Sequence, residues 1–401
     1  MPTVYFSIDK QSFMPREELL RTDEGRRSLL IGIPKEASPH ENRIVLTPET
    51  VGVLVRHGHH VLIESLAGEE CNYSDLQYGE MGGYIVGREE VYRSDVLLKI
   101  DPPTSEEIDL MKERQLLFSF LPPFLLSGAY VRKLMDKHVT AVSFDTIRDR
   151  FGCYPLVRMM SEIAGSASIQ IAAEYLNKST GGKGILLGGI SGVNPAEVVI
   201  IGAGTAAEFA VRSALGMGAF VRVFDNSVHR LQRLQNNLGQ RLYTSVMHPQ
   251  AMQRALASAD ALIGAAYMDG TQSGYPITEE MVATMKQGAV IVDLSINQGG
   301  CCETSEIRDL QHPVTVKYGV VHYGVPNITS LVPRTASMAI SNIVSGIILD
   351  METHGSMSGW LKSNSGIRNG VYIFNGTLTE ANIGELFGIP YQDIHLLMAA
   401  F

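Results

Sequence analysis

The sequence predicts an α/β protein built on two mostly parallel sheets, and three observations carry that reading. Short apolar runs alternate with amphipathic segments between residues 28 and 145. The alternation restarts at residue 198 after a glycine-rich stretch, GGKGILLGGISGVNPAEV. Long helical stretches rich in small residues flank this second series. Repeated strand–helix units of this kind assemble as parallel sheets with helices on both faces.

The elements follow in order. Strands are predicted at SLLIGIP (28–34), HHVLIES, SDVLLKI (94–100), RQLLFSFL (114–121) and VTAVSFD (139–145). TPETVGVLVRHG reads as a helix, with Thr47 as its cap and Pro48 in its first turn. The first 30 residues are polar and charged and read as an extension. A helix from about Leu156 to Leu176 reads as a connector between domains. VVIIGAG (198–204), FVRVFD, ADALIGAA and GAVIVDLS form the second series. A last long helix, 335–355, is capped by Gly355 and returns the chain to the first domain.

Composition narrows the function. The chain has 401 residues, enough for two domains, with 45% apolar and 19% charged residues. A net charge of −9 argues against nucleic-acid and anionic-membrane partners. No apolar run reaches the roughly 20 residues of a membrane span, and the N-terminus lacks the pattern of a secretory signal. Cys71, Cys153, Cys301 and Cys302 have neither zinc-site nor disulfide-framework spacing. Reduced cytoplasmic thiols and no metal site are expected.

The most specific motif is VVIIGAGTAAEFAVRSALGMGAFVRVFD. An apolar strand runs into Gly202, Gly204 and Ala207, the G-x-G-x-x-G/A pattern, with Thr205 inside it, and a helix follows at once. In this pattern the first glycine permits the tight turn. The second lets the backbone approach a pyrophosphate, and the small third residue keeps helix and strand close. The helix N-terminus offers free N–H groups to phosphates. Asp225 ends the next strand about 20 residues on, where an acid bonds the adenine-ribose hydroxyls and repels a 2′-phosphate. NAD(H) is therefore expected, with Arg222 and Arg230 close enough to bear on the choice between NAD(H) and NADP(H).

From Leu30 to about Pro390 the chain resembles alanine dehydrogenase and the related first domain of proton-translocating transhydrogenase. IGIPKEASPHENRIVLTPETV, RHGHHVLIESLAGE, MSEIAG, GGISGVNPAEVVIIGAGTA, MKQGAVIVDLSINQGGC and VPNITSLVPRTAS carry the likeness in order. PLVRMMSEIAG is closer to the alanine dehydrogenases. The resemblance implies two Rossmann-like domains. A discontinuous substrate domain, 1–155 and 332–401, surrounds an NAD(H)-binding domain, 156–331. It also implies a small-molecule substrate and a homo-oligomer, hexamer or dimer. By position, Arg43 matches the arginine that holds the substrate carboxylate. Ser161, Gly264, Ala265, Ser295 and Asn327 match positions lining the dinucleotide, although small residues at strand ends also pack there for structural reasons.

Three family residues are replaced. The family lysine reads Asp101, the acid/base histidine reads Pro122, and the aspartate before QGG reads Asn297. Proline has no titratable group, and an amide positions water but takes no proton. Strand alternation would put Lys99 on the same face as Asp101, making Lys99, Asp101 and Asn297 candidates for an altered site beside Arg43. Asp101 could pair with Arg43 or bind a cationic group on a larger substrate. His322 and Tyr323 are candidates near the nicotinamide end, and His40 lies before Arg43. The expected function is an NAD(H)-dependent oxidoreductase on an amino acid, 2-oxo acid or imine, with divergent acid/base groups. The alternatives are a non-catalytic NAD(H) sensor or scaffold and a transhydrogenase-like subunit. A cleft where Arg43, Lys99 and Asn327 converge would favour the enzyme, and one filled by Pro122 and Phe124 the sensor.

Overall fold

The computed structural model describes residues 28–266, 275–354 and 356–399. The N-terminal extension and the proposed cap Gly355 lie outside them. Each predicted strand is present, usually trimmed by a residue or more at its ends. The first series holds β1 (Leu30–Ile33), β2 (His60–Glu64), β3 (Tyr84–Val86), β4 (Val96–Leu98), β5 (Leu116–Ser119) and β6 (Thr140–Ser143), of which β3 was not predicted. The second series holds β7 (Glu197–Ile201), β8 (Phe220–Phe224), β9 (Tyr243–Ser245), β10 (Ala261–Gly264), β11 (Val290–Asp293), β12 (Val314–Lys317) and β13 (Val320–Tyr323). Last come β14 (Val371–Phe374) and β15 (Thr377–Leu378).

The strands form two sheets. One has the order β15-β14-β6-β5-β4-β1-β2-β3, the other β12-β13-β11-β10-β7-β8-β9. Pairing is parallel except where β14 meets β6 and β15, and where β12 meets β13. Strands buried on both faces read as continuous apolar runs, as in VVII of β7 and VIV of β11. Each sheet has apolar clusters on both faces, with Phe118, Phe144 and Trp360 in the first and Val198, Ile200 and Ala210 in the second.

The helix Pro155–Leu176 begins with proline, whose missing N–H costs nothing there. It lies against the helix Thr205–Gly216, and a Cβ on Gly165 would fall 2.1 Å from the Ala206 carbonyl oxygen, so only glycine permits this approach. The helix Pro333–Glu352 packs on the same connector. Thr47 does precede the helix Pro48–Arg56, but its hydroxyl pairs with Thr50 at 3.3 Å instead of capping. No helix among the described residues is long and apolar enough to cross a membrane.

In each sheet the strand order reverses at a central strand, β1 in the first and β7 in the second. Ligands of open parallel sheets bind outside the carboxyl ends of the strands at such switch points. The segments after β1, β4 and β5 meet those after β11 and β13 across one cleft.

Candidate active site

The cleft has a volume of about 1150 Å³. Arg43, Asp101, Pro122, Ser161, Asn297 and Asn327 all line it, as does Ala206 of the glycine turn. The three positions that depart from the expected pattern therefore share one wall-to-wall space. Pro122 and Phe124 line the cleft without filling it.

Its first wall is organised by charge. Arg43 Nε donates to Glu41 Oε1 at 2.7 Å and Nη2 to Glu41 Oε2 at 2.5 Å, a two-point ion pair that is almost wholly buried. Nη1 donates to Thr329 Oγ1 at 2.9 Å, and the guanidinium lies over the Phe120 ring. Asn327 Nδ2 donates to the same Glu41 oxygen at 2.8 Å. Arg43 and Asn327 thus converge, but on an internal carboxylate that the motif reading had not singled out. Burial works against the Arg43 charge, and Glu41 overcomes it and raises the pKa.

Lys99 does not join them. β4 ends at Leu98, so strand alternation does not extend to 99–101. The Lys99 ammonium is 1% exposed, pairs with Glu36 and lies 3.7 Å from Glu107. Burial opposes its charge, and the two carboxylates hold its pKa above the usual value. Asp101, by contrast, lines the cleft. Burial and then Glu41 raise its pKa, while Arg43 and Lys99 pull it back. Glu36, beneath this wall, accepts from Ile100 N at 2.7 Å, and burial pushes its pKa up to about 7 against the pull of Lys99.

The opposite wall is set by the second sheet. Gly202 has φ +105°, and a Cβ there would sit 2.5 Å from the Ala265 carbonyl oxygen. Gly204 precedes the first helical residue, Thr205, and nothing caps that end from a side chain. A Cβ on Gly204 would meet no protein atom within 4 Å, so packing gives no reason for glycine there. Ala207 is fully buried against the sheet. Asp225 Oδ2 accepts from Ala203 N at 2.7 Å and Oδ1 from Ser227 N at 2.7 Å, which ties the acid to the glycine turn. An open glycine at a helix N-terminus beside a strand-end carboxylate fits a dinucleotide pyrophosphate and ribose.

The remaining expected positions divide between those the structure turns away from the cleft and those it leaves near it. Gly264 is dictated by packing, since a Cβ would fall 2.1 Å from Cys301 Sγ. His322 is not at the cleft. It is 1% exposed, with Nε2 2.7 Å from Thr304 Oγ1 and Nδ1 3.0 Å from the Val320 carbonyl oxygen. Tyr323 is buried against Tyr175. Arg230 is exposed on its helix; Arg233, three residues on, donates to the Ala203 carbonyl at 3.2 Å. Arg222 is committed to Glu197 and stacks over Tyr243. Ser295 is held by its hydroxyl to the Ala266 carbonyl at 2.5 Å. Ser161 lines the cleft, its hydroxyl bonded to the Val157 carbonyl at 2.8 Å, and Ala265 is half-buried beside Gly202.

Other residues emerge only in three dimensions. Asp293 is fully buried and accepts from Ser295 N and Cys301 N, each at 3.0 Å, folding the turn that carries Asn297 to the cleft. His40 and His312 both line the cleft, as does Asp145. His312 is 272 positions from His40, and neither periodicity nor motif brings them together. Burial raises the Asp145 pKa, while its bonds to Ser143 and Leu121 N oppose this. No group of three or more metal-ligating side chains occurs among the described residues.

Two parallel sheets facing one cleft, with a glycine turn and strand-end acid on one side, define the class of nucleotide-dependent dehydrogenases. The N-terminal domain of alanine dehydrogenase/PNT matches residues 32–164 and the C-terminal domain 168–381. Alanine dehydrogenase of Staphylococcus saprophyticus is 37% identical over 368 residues, covering 91% of this chain and 99% of its own. A solved L-alanine dehydrogenase superposes with a TM-score of 0.85 at 34% identity, over 90% of this chain and 99% of that one. The transhydrogenase of Sinorhizobium meliloti shares the fold, with a TM-score of 0.75 at 22% identity over 88% and 99%. The chain belongs to the alanine dehydrogenase/PNT family, whose members are NAD(H)-dependent oxidoreductases.

Proposed function

We propose that this protein is an NAD(H)-dependent oxidoreductase of an amino acid, the corresponding 2-oxo acid or imine, with acid/base groups that differ from those of ordinary alanine dehydrogenases. The observation that carries the reading is the convergence of Asp101, Pro122 and Asn297 on one open cleft with Arg43 and the glycine turn. The replacements are concentrated in a single space while the cofactor turn is intact.

NAD(H), when bound, supplies the hydride donor or acceptor. Gly204 and the first turn at Thr205 would hold its phosphates, and Asp225 its ribose. Ser161, Ala265, Ser295 and Asn327 belong to the same reading as residues near the dinucleotide. Arg43, preset by Glu41 and Thr329, presents its remaining donor to the substrate carboxylate. Asn297 positions water but moves no proton. Proton transfer falls to the carboxyls and imidazoles that line the cleft, among them Asp145 and His40. The division into 1–155 with 332–401 around 156–331, a homo-oligomer and a cytoplasmic location belong to the same proposal.

The second reading, an NAD(H) sensor, draws on the withdrawal of Lys99 from the cleft and on Pro122. NADH oxidation with a panel of 2-oxo acids and ammonium, beside a calorimetric NADH titration, separates the two. Turnover of any member of the panel supports the enzyme. Clean NADH binding with no turnover on any substrate favours the sensor, and absence of NADH binding rejects both.

A further inference from the structure

Four carboxylates and two cations gather where β1 and β4 end: Glu36, Glu41, Asp101 and Glu107 with Arg43 and Lys99. Their contacts are unevenly distributed. Arg43 is taken by Glu41 through two hydrogen bonds. Lys99 is shared between Glu36 and Glu107. Asp101 is the carboxylate left over, with no ion pair and no side-chain hydrogen bond to any described residue, although it is half-buried. Its backbone N–H donates to Glu36 at 3.3 Å, which fixes the segment without satisfying the side chain.

Its position differs from that of the other three acids. Asp101 lines the cleft, on the same side as Arg43 and Phe120, whereas Glu36, Glu41 and Glu107 do not line it. A half-buried carboxylate with neither a hydrogen-bond donor nor a directly paired cation carries a desolvation cost that a ligand cation can offset. Arg43 is near it but already neutralised by Glu41, so the unbalanced charge on this wall is negative. The 2-ammonium of a zwitterionic substrate is balanced by its own carboxylate, so a substrate with no further cation would leave the net charge of this wall negative.

Resting on the reading of this cleft as an amino-acid or 2-oxo-acid site, we infer that Asp101 is a specificity residue that seats a second positive charge, so that the substrate is a basic 2-amino acid or its 2-oxo acid carrying a side-chain ammonium or guanidinium. The hydrocarbon part of such a side chain would lie along Phe120 and Pro122, which line the same wall. Asp101 in this role discriminates between substrates by differential binding.

Calorimetric titration of the full-length protein, with and without saturating NADH, tests this with L-lysine, L-arginine and the uncharged L-norleucine. The expected result is binding of lysine or arginine at least about tenfold tighter than norleucine, the discrimination of one charge-assisted contact. Asp101→Asn should remove that ratio, and Asp101→Lys should reverse it. Circular dichroism checks that the variants are folded, and the lysine preference of the unaltered protein should weaken as salt is raised. Equal affinity for lysine and norleucine, failure of all three to bind, or a lysine preference that survives Asp101→Asn would each overturn the inference. Asp101-dependent lysine binding without any NADH binding would uphold it while rejecting the proposed oxidoreductase.

Discussion

Glu41 and Arg43, two residues apart in one loop, form a buried two-point ion pair, with Nε–Oε1 at 2.7 Å and Nη2–Oε2 at 2.5 Å. The arginine at the centre of the cleft wall is therefore held by its own chain before any ligand arrives. Removing one member of such a pair strands the other. Arg43→Ala should destabilise the protein by about 3–5 kcal/mol. Arg43→Lys should recover only part of this, because an ammonium cannot reproduce the fork. Urea unfolding followed by the fluorescence of Trp360, the single tryptophan and fully buried in the first core, provides the measurement.

The two glycines of the dinucleotide turn should separate folding from binding. Gly202→Ala meets both a φ of +105° and the Ala265 carbonyl, and should lower stability by about 1–3 kcal/mol. Gly204→Asp points into open space. It should leave thermal stability nearly unchanged while weakening NADH at least about tenfold through charge repulsion with the phosphates. Thermal melts beside NADH titrations of both variants check this; a stable Gly204→Asp that binds NADH normally would place the phosphates elsewhere.

In the proposed reading, Asp225 sets the choice between NADH and NADPH. With Arg222 committed to Glu197, no nearby cation on that strand is free to meet a 2′-phosphate. Asp225→Asn should weaken NADH and narrow the NADH-over-NADPH preference by about tenfold. The ratio of the two dissociation constants, measured by calorimetry, tests it.

Glu36 makes stability depend on pH. Its pKa is pushed up from 4.5 to about 7, so the folded protein holds a proton there more tightly than the unfolded chain. The contribution is fully present below about pH 4.5 and is lost as pH rises through about 7. Glu36→Gln should therefore gain on the unaltered protein between pH 5 and 8, by about 1–3 kcal/mol in relative stability. Urea midpoints across that range decide it, and a constant difference would show that Glu36 is ionised throughout.

The fold was largely legible because its buried parallel strands are apolar runs, as in β7 and β11, that need no partner in order to be recognised. β3, β9, β12, β13, β14 and β15 escaped notice. They are edge or near-edge strands, and β3, β9 and β12 are partly exposed, so their sequences lack that signature. The glycine turn was legible because its pattern is local in sequence: Gly202 answers a backbone demand and Ala207 a packing one, while Gly204 stands in open space. The polar wall was not. Lys99 and Asp101 share a spacing of two, but the strand ends between Leu98 and Lys99, and the buried Glu36 and Glu107 draw the lysine inward. His322 precedes a loop that does reach the cleft, yet its side chain turns into the core to meet Thr304. Glu41 and His312 needed the tertiary fold, since nothing in their local pattern marks them.

The most direct test of the account is the rate of NADH oxidation with pyruvate and ammonium, compared between the unaltered protein and one carrying Asp101→Lys, Pro122→His and Asn297→Asp together. If the cleft retains its cofactor site and has exchanged its proton chemistry, the unaltered protein should turn over pyruvate poorly, and the triple variant should be faster by about 10²-fold or more, the contribution of a restored acid/base group. Rapid pyruvate turnover by the unaltered protein, slowed by the three substitutions, would contradict it.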